Sequence, residues 1–385
     1  MGTPALVDLS PLLRIALLGA LLALGPLCWL WLRQRGSNPA QRLRALTVLT
    51  LFLTFDLVLF GAYTRLTDSG LGCPDWPGCY GNASPFGART DIDVAQHLAP
   101  FGPVTHAKAW IEMIHRYFAT AVGVLITVLA IAGWTRSGRA AGAARGLSSA
   151  TLAWVVMQGA FGALTVTWKL YPAIVTLHLL GGLGLLALLA VQSRAAAPPD
   201  LTITPALRRG LWVLAAMTLV QVTLGGWVST NYAVLACAGF PRCQGSGWPA
   251  MDFAGGFSVL RELGSGAGGA PLRFEALVAI HQSHRMFAGA ILTAMALLAW
   301  RLRRDGGALR RWAWPVAGLA LWQLASGMVT VLFDWPLVAA LGHSAGAAGW
   351  VVVLTLLIRR SRRTRAAGVP LGTPGGRIRR MQAAS

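Results

Sequence analysis

The chain has 385 residues, of which 55% are hydrophobic and only 12% charged, and its formal net charge is +20. So apolar a composition excludes an ordinary soluble domain. The excess of arginine does not call for nucleic acid, because it is confined to particular connections between apolar runs.

Nine hydrophobic runs, each long enough to cross a bilayer, lie near residues 11–33, 44–63, 113–134, 147–168, 172–193, 210–230, 276–300, 312–333 and 337–358. They predict an all-α polytopic membrane protein. The first run is longer than a signal-peptide core, and no small-residue cleavage motif follows it. Arginines gather in alternate connections: Arg33, Arg35, Arg42 and Arg44; Arg136, Arg139 and Arg145; Arg194, Arg208 and Arg209; Arg301, Arg303, Arg304, Arg310 and Arg311; and the run RRSRRTR from Arg359. The positive-inside rule makes that face cytoplasmic, with the N-terminus outside and the C-terminus inside. The Gly/Ala/Arg-rich end of the chain reads as disordered. The long outer connections, about 64–111 and 231–275, hold four of the five cysteines, and Cys28 lies in the first run.

The body is duplicated. Cys73, Pro77, Cys79 and Gly81 match Cys237, Pro241, Cys243 and Gly245 at an offset of 164. His115-Arg116 matches His284-Arg285 at 169, and Gln158, Gly162, Thr165 and His178 match Gln323, Gly327, Thr330 and His343 at 165. The chain therefore divides into an extra N-terminal helix with its connection (1–43), two four-helix halves (44–200 and 201–360) and a basic tail (361–385). Each half crosses an even number of times, so the repeat is parallel. The expected architecture is two tandem four-helix bundles related by a pseudo-twofold axis along the membrane normal.

Seven histidines are present. His97 and His106 fall in the first outer connection. The others lie near the outer ends of helices: His115 and His178 in the first half, His284 and His343 at the matched places in the second, with His281 extra. Each pair sits at similar depth on helices of one bundle. Two facing imidazoles in a dry bundle suit a haem iron. Zinc would want further Cys, His, Asp or Glu ligands, and an interhelical hydrogen bond is the plain alternative. Glu112 shares a helix face with His115, whereas His281 takes that place before His284. Glu112 is either a proton-handling group or an acid that favours the N-terminal dipole of its helix. Arg116 and Arg285 either pair with haem propionates or snorkel to the surface. The C-x5-C pairs read as loop disulfides or as redox-active thiols. There is no C-x-x-C-H, so covalent haem attachment has no support.

The segments GAYTRLTDSGLGCPDWPGCYG (61–81), EMIHRY (112–117), TLHLLGG (176–182), IHQSHRMFAG (280–289) and LGHSAG (341–346) together resemble the haem A synthase family, of the bacterial type with cysteines in its outer loops. The resemblance covers about 44–358. It implies oxidation of a methyl substituent of haem O, through an alcohol, to the formyl group of haem A, which terminal oxidases use. It also implies that His115 and His178 hold the substrate haem O, that Glu112 is needed for activity, and that His284 and His343 hold a haem b. Cys73–Cys79 and Cys237–Cys243 are the implied disulfides. Haem O synthase is the implied supplier of substrate, and a quinol or a ferredoxin-like protein the implied class of electron donor. A bacterial cytoplasmic membrane is the implied location, with lipid as neighbour and a homo-oligomer as one assembly. The extra first helix departs from the family's eight-helix form. A two-haem b-type cytochrome moving electrons from quinol fits the repeat and the histidine pairs as well. The difference between Glu112 and His281 favours an enzyme over that conduit. A transporter fits poorly, because histidines are almost the only ionisable groups in the runs.

Overall fold

A computed structural model describes residues 10–135, 141–194, 200–266 and 269–363. Eleven α-helices follow in order: α1 (Ser10–Arg33), α2 (Pro39–Leu66), α3 (Arg89–Leu98), α4 (His106–Trp134), α5 (Ala141–Thr167), α6 (Pro172–Ser193), α7 (Pro205–Thr230), α8 (Phe253–Gly256), α9 (Phe274–Asp305), α10 (Gly307–Leu332) and α11 (Leu337–Arg360). All but α3 and α8 are long and apolar enough to span a membrane, which makes nine such helices among the described residues. The protein is an all-α, multi-pass membrane protein. Even α6, with 22 residues, is about 33 Å long at the α-helical rise, enough for the hydrocarbon layer.

The helices run past the apolar stretches because polar residues close their ends. Asn38 and Gln41 form a reciprocal capping box before α2, with Gln41 N–H donating to Asn38 Oδ1 at 2.9 Å and Asn38 N–H to Gln41 Oε1 at 3.1 Å. Thr105 caps α4 and Thr204 caps α7 in the simpler form. Within α2, the hydroxyls of Thr47, Thr50, Thr54 and Thr64 each donate to the carbonyl four residues earlier. Polar side chains are thereby satisfied without water.

Helix α2 packs on α4 and α6, α4 on α5, and α5 on α6; α7, α9, α10 and α11 pack in the same cycle. The two sets join where α6 meets α7 and α11, and where α2 meets α11. Three contacts link a residue to its own counterpart in the repeat. Arg65 Nη2 donates to the Ser229 carbonyl at 2.5 Å across a separation of 164. The Tyr232 hydroxyl donates to Asp68 Oδ1 at 2.5 Å, also across 164. At the opposite end, Arg359 donates to the Arg194 carbonyl at 3.4 Å across 165. Contacts of this kind, at both ends of the helices, are what two copies related by an axis along the helices produce.

Helix α1 lies outside the cycle, chiefly against α4, where Gly19 meets Thr120. Sequence reasoning gave no sign of α3 or of a short parallel strand pair, β1 (Leu201–Ile203) with β2 (Ser361–Arg363). The tail was expected to be disordered from 361, but its first three residues are a strand. Leu201, Ile203 and Ser361 are buried there, and Arg208 donates to the Ser361 carbonyl at 2.8 Å. The rest of that expectation, beyond Arg363, lies outside the described residues, as do Arg136 and Arg139.

Candidate functional site

Each of the four matched histidines is met by a glycine on a neighbouring helix. A methyl group added at Gly61 would lie 3.1 Å from His115 Cε1, and one at Gly225 would lie 3.0 Å from His284 Cε1. The same holds for Gly162 against His178 (3.6 Å) and Gly327 against His343 (3.3 Å). These glycines occupy repeat-matched positions, so the close approach of helix backbone to imidazole is built into both sets. Phe60 also stacks on His115, with ring centroids 6.2 Å apart and planes 12° apart.

In the C-terminal set, the His284 and His343 rings meet edge-on, with centroids 6.5 Å apart and planes 79° apart. That gap admits one metal atom bonded to a nitrogen of each ring, since each metal–imidazole bond takes about 2 Å. The Nδ1 edges are occupied. Gln221 Nε2 lies 3.1 Å from His284 Nδ1 and 3.5 Å from its Nε2. Ser326 Oγ lies 3.0 Å from His343 Nδ1. Ser326 Oγ already donates to the Trp322 carbonyl, so it accepts from His343 Nδ1–H and leaves Nε2 of that ring for a metal, the arrangement used by metal-ligating imidazoles. No group of three or more His, Cys, Asp or Glu suited to a bare metal ion occurs among the described residues. The residues present therefore fit a haem iron, with two axial imidazoles, better than zinc.

In the N-terminal set, His115 and His178 lie within electrostatic reach of each other, but Nδ1 of each is buried and has no hydrogen-bond partner. The reason is legible at the matched positions. Leu57 stands where Gln221 stands, and Phe161 where Ser326 stands.

Glu112 is in the second turn of α4, which begins at His106. It therefore lies past the first turn, where a helix dipole acts. Instead it is 4% exposed and ties helix to loop. Its Oε2 accepts from the Cys73 N–H at 2.8 Å, and its Oε1 is ion-paired with Arg116. Arg116 neither snorkels nor stays free for a ligand, because Nη1 donates to the carbonyls of Asp75 (3.0 Å), Pro77 (3.2 Å) and Gly78 (2.5 Å). Arg285 repeats one of these bonds, donating to the Pro241 carbonyl at 3.0 Å. Cys73 is bonded to Cys79 and Cys237 to Cys243. Both loops then turn at matched positive-φ residues, Tyr80-Gly81 and Gln244-Gly245. His281 is 4% exposed, and its Nδ1 is buried without a hydrogen-bond partner. His97 and His106 do not reach the histidine pairs. His97 Nδ1 lies 2.7 Å from the Asp93 carbonyl within α3, whereas His106 Nε2 lies 2.6 Å from Asp93 Oδ1 and so fastens α4 to α3.

One residue escaped the sequence reading. Asp56 lies in mid-α2, one turn from Phe60, with no hydrogen bond or ion pair among the described residues. A lone acid in an apolar run was the available signal. Gln221 and Ser326 were missed as well, and only comparison of the repeats side by side marks them.

Residues 44–358 match the COX15-CtaA family, described as cytochrome oxidase assembly protein. The chain belongs to this family. Relatives bearing the name heme A synthase include a protein of Shewanella oneidensis, 37% identical over 80% of this chain and 93% of its own length. One from Symbiobacterium thermophilum is 29% identical over 82% of this chain and 94% of its own. One from Alkalihalophilus pseudofirmus is 30% identical over 55% and 67%. The COX15-CtaA match begins after α1 and ends within α11, so it takes in every histidine and cysteine discussed except Cys28.

Proposed function

We propose that the chain is a haem A synthase, which oxidises the methyl substituent of haem O through an alcohol to the formyl group of haem A. Similarity to relatives of that name, two of them over nearly their whole length, carries the reading, and the two histidine pairs give it a site. It displaces the two-haem electron conduit, which shares the histidines but not the relatives. The haem irons, when bound, supply the redox chemistry.

The chain's own residues divide the work. His115 and His178 take the substrate haem O, and His284 and His343 hold a haem b. Glu112 acts at the outer edge of the substrate site, where its carboxylate is fixed by Arg116 and by the Cys73 N–H. Oxidising a methyl group releases protons, and a positioned carboxylate is a suitable acceptor. The disulfide loops cover the outer mouths. The arginine distribution supports a bacterial cytoplasmic membrane location, with the N-terminus outside and the C-terminus in the cytoplasm. Haem O then arrives from a haem O synthase, and the electron donor is of the quinol or ferredoxin-like class.

The test is to purify the protein from cells supplied with haem O and identify its extracted haems by chromatography and mass. Haem O or haem A beside haem b is the expected result. Haem b alone, whatever the supply of haem O, overturns the reading.

A further inference from the structure

The two sets answer one electrostatic problem differently. Each places an arginine directly after its first histidine and ties it to the prolyl carbonyl of its disulfide loop. A buried guanidinium needs a counter-charge. Arg116 has one in Glu112. Arg285 is half-buried, with its guanidinium over the Phe240 ring; no carboxylate among the described residues pairs with it, and its Nη1 is buried without a hydrogen-bond partner. At the place of Glu112 stands His281, one turn before Arg285 on the same helix face. His281 is within electrostatic reach of both Arg285 and His284. It too is buried, at 4% exposed, with Nδ1 unpartnered. Two unfilled polar positions thus sit together beside a histidine pair, beneath the loop at the outer mouth.

We propose that Arg285 Nη1 and His281 Nδ1 form a carboxylate-binding subsite, which takes a propionate of the haem held by His284 and His343. This rests on the reading of that pair as haem ligands. The carboxylate supplies the counter-charge that the chain withholds from Arg285 and provides in cis to Arg116. His281 serves either protonation state of the pair, accepting from a carboxyl group or donating to a carboxylate. Arg116 is already consumed by Glu112 and three loop carbonyls, so the N-terminal site has no such clamp. The C-terminal haem is consequently retained, and the N-terminal haem is free to exchange as substrate and product must.

The experiment uses the full chain with His115→Ala and His178→Ala, so that one site remains, and titrates it with ferric protoporphyrin IX and its dimethyl ester. The Soret band reads affinity, and the visible bands report bis-imidazole ligation. The free acid should bind about tenfold to hundredfold more tightly than the ester, the value of a charge-assisted hydrogen bond. Arg285→Gln should lower the affinity for the free acid by a similar factor and leave the ester unchanged. Equal binding of acid and ester to the chain with Arg285 intact overturns the subsite, even if Arg285→Gln fails to fold. Bis-imidazole ligation alongside that equality would leave the haem-ligand reading standing. Absence of bis-imidazole bands with either probe overturns both.

Discussion

The two sets of four helices share a frame and differ in what surrounds their histidines. In the C-terminal set Gln221 and Ser326 hold the imidazoles, and the polar edges of Arg285 and His281 stay unfilled. In the N-terminal set the imidazoles lack those partners, while Glu112 and Arg116 satisfy each other and the loop. A duplicated scaffold has thus been specialised by a handful of exchanges: Leu57 for Gln221, Phe161 for Ser326, and Glu112 against His281. On the proposed reading, one site grips its haem and the other lets it go.

The severest way to break this contrast is to remove axial ligands. His284→Ala should strip the haem that survives purification, whereas His115→Ala should leave it in place and abolish haem A formation; spectra and extracted haems check both. Next comes Glu112→Ala, which leaves Arg116 buried without its partner. Breaking such a pair costs about 3–5 kcal/mol, so thermal unfolding should move sharply downward and haem A should vanish. Glu112→Gln separates the roles. If haem A production survives it, the carboxylate is only an anchor. Smaller effects should follow Gln221→Leu, which copies the N-terminal residue into the other set. Loss of an outer-shell partner should weaken haem retention about tenfold to hundredfold, read by transfer of haem to an acceptor protein. Gly225→Ala should shift the visible bands by pressing a methyl group on His284.

The mildest test is one of pH at the loop. The Asp93 carboxyl is held below its ordinary value, first by its hydrogen bond to His106. A depressed carboxylate stabilises the fold above its unfolded pKa, and that stabilisation fades as pH falls through the folded value. Hydrogen exchange in α3 should therefore quicken in the acid range, as the Asp93 carboxylate is protonated.

Much of this was legible beforehand because membrane spans and repeats are written in simple patterns. Nine runs gave nine helices among the described residues, and Cys73, Cys79, Cys237 and Cys243 are bonded in the pairs that the resemblance implied. What stayed hidden depends on direction rather than on sequence position. Whether Arg116 met lipid, ligand or loop turned on a loop that folds back over α4, and neither apolar periodicity nor charge counting carries that information. Helix α3 was missed because its apolar residues are few and it is only ten residues long. Asp56 was passed over because a single acid barely dents the hydropathy of a long run.

The contacts between repeat counterparts carry a consequence of their own. In a symmetric homodimer a position on the twofold axis meets an identical residue, so it must be complementary to itself. An arginine facing arginine at Arg65, or an aspartate facing aspartate at Asp68, would repel. Joining the two copies in one polypeptide removes that restriction. Arg65 then meets a serine carbonyl and Asp68 a tyrosine hydroxyl. Covalent linkage thus allows the seam itself to become asymmetric, and two sites of common ancestry can drift apart in chemistry without coming apart in space.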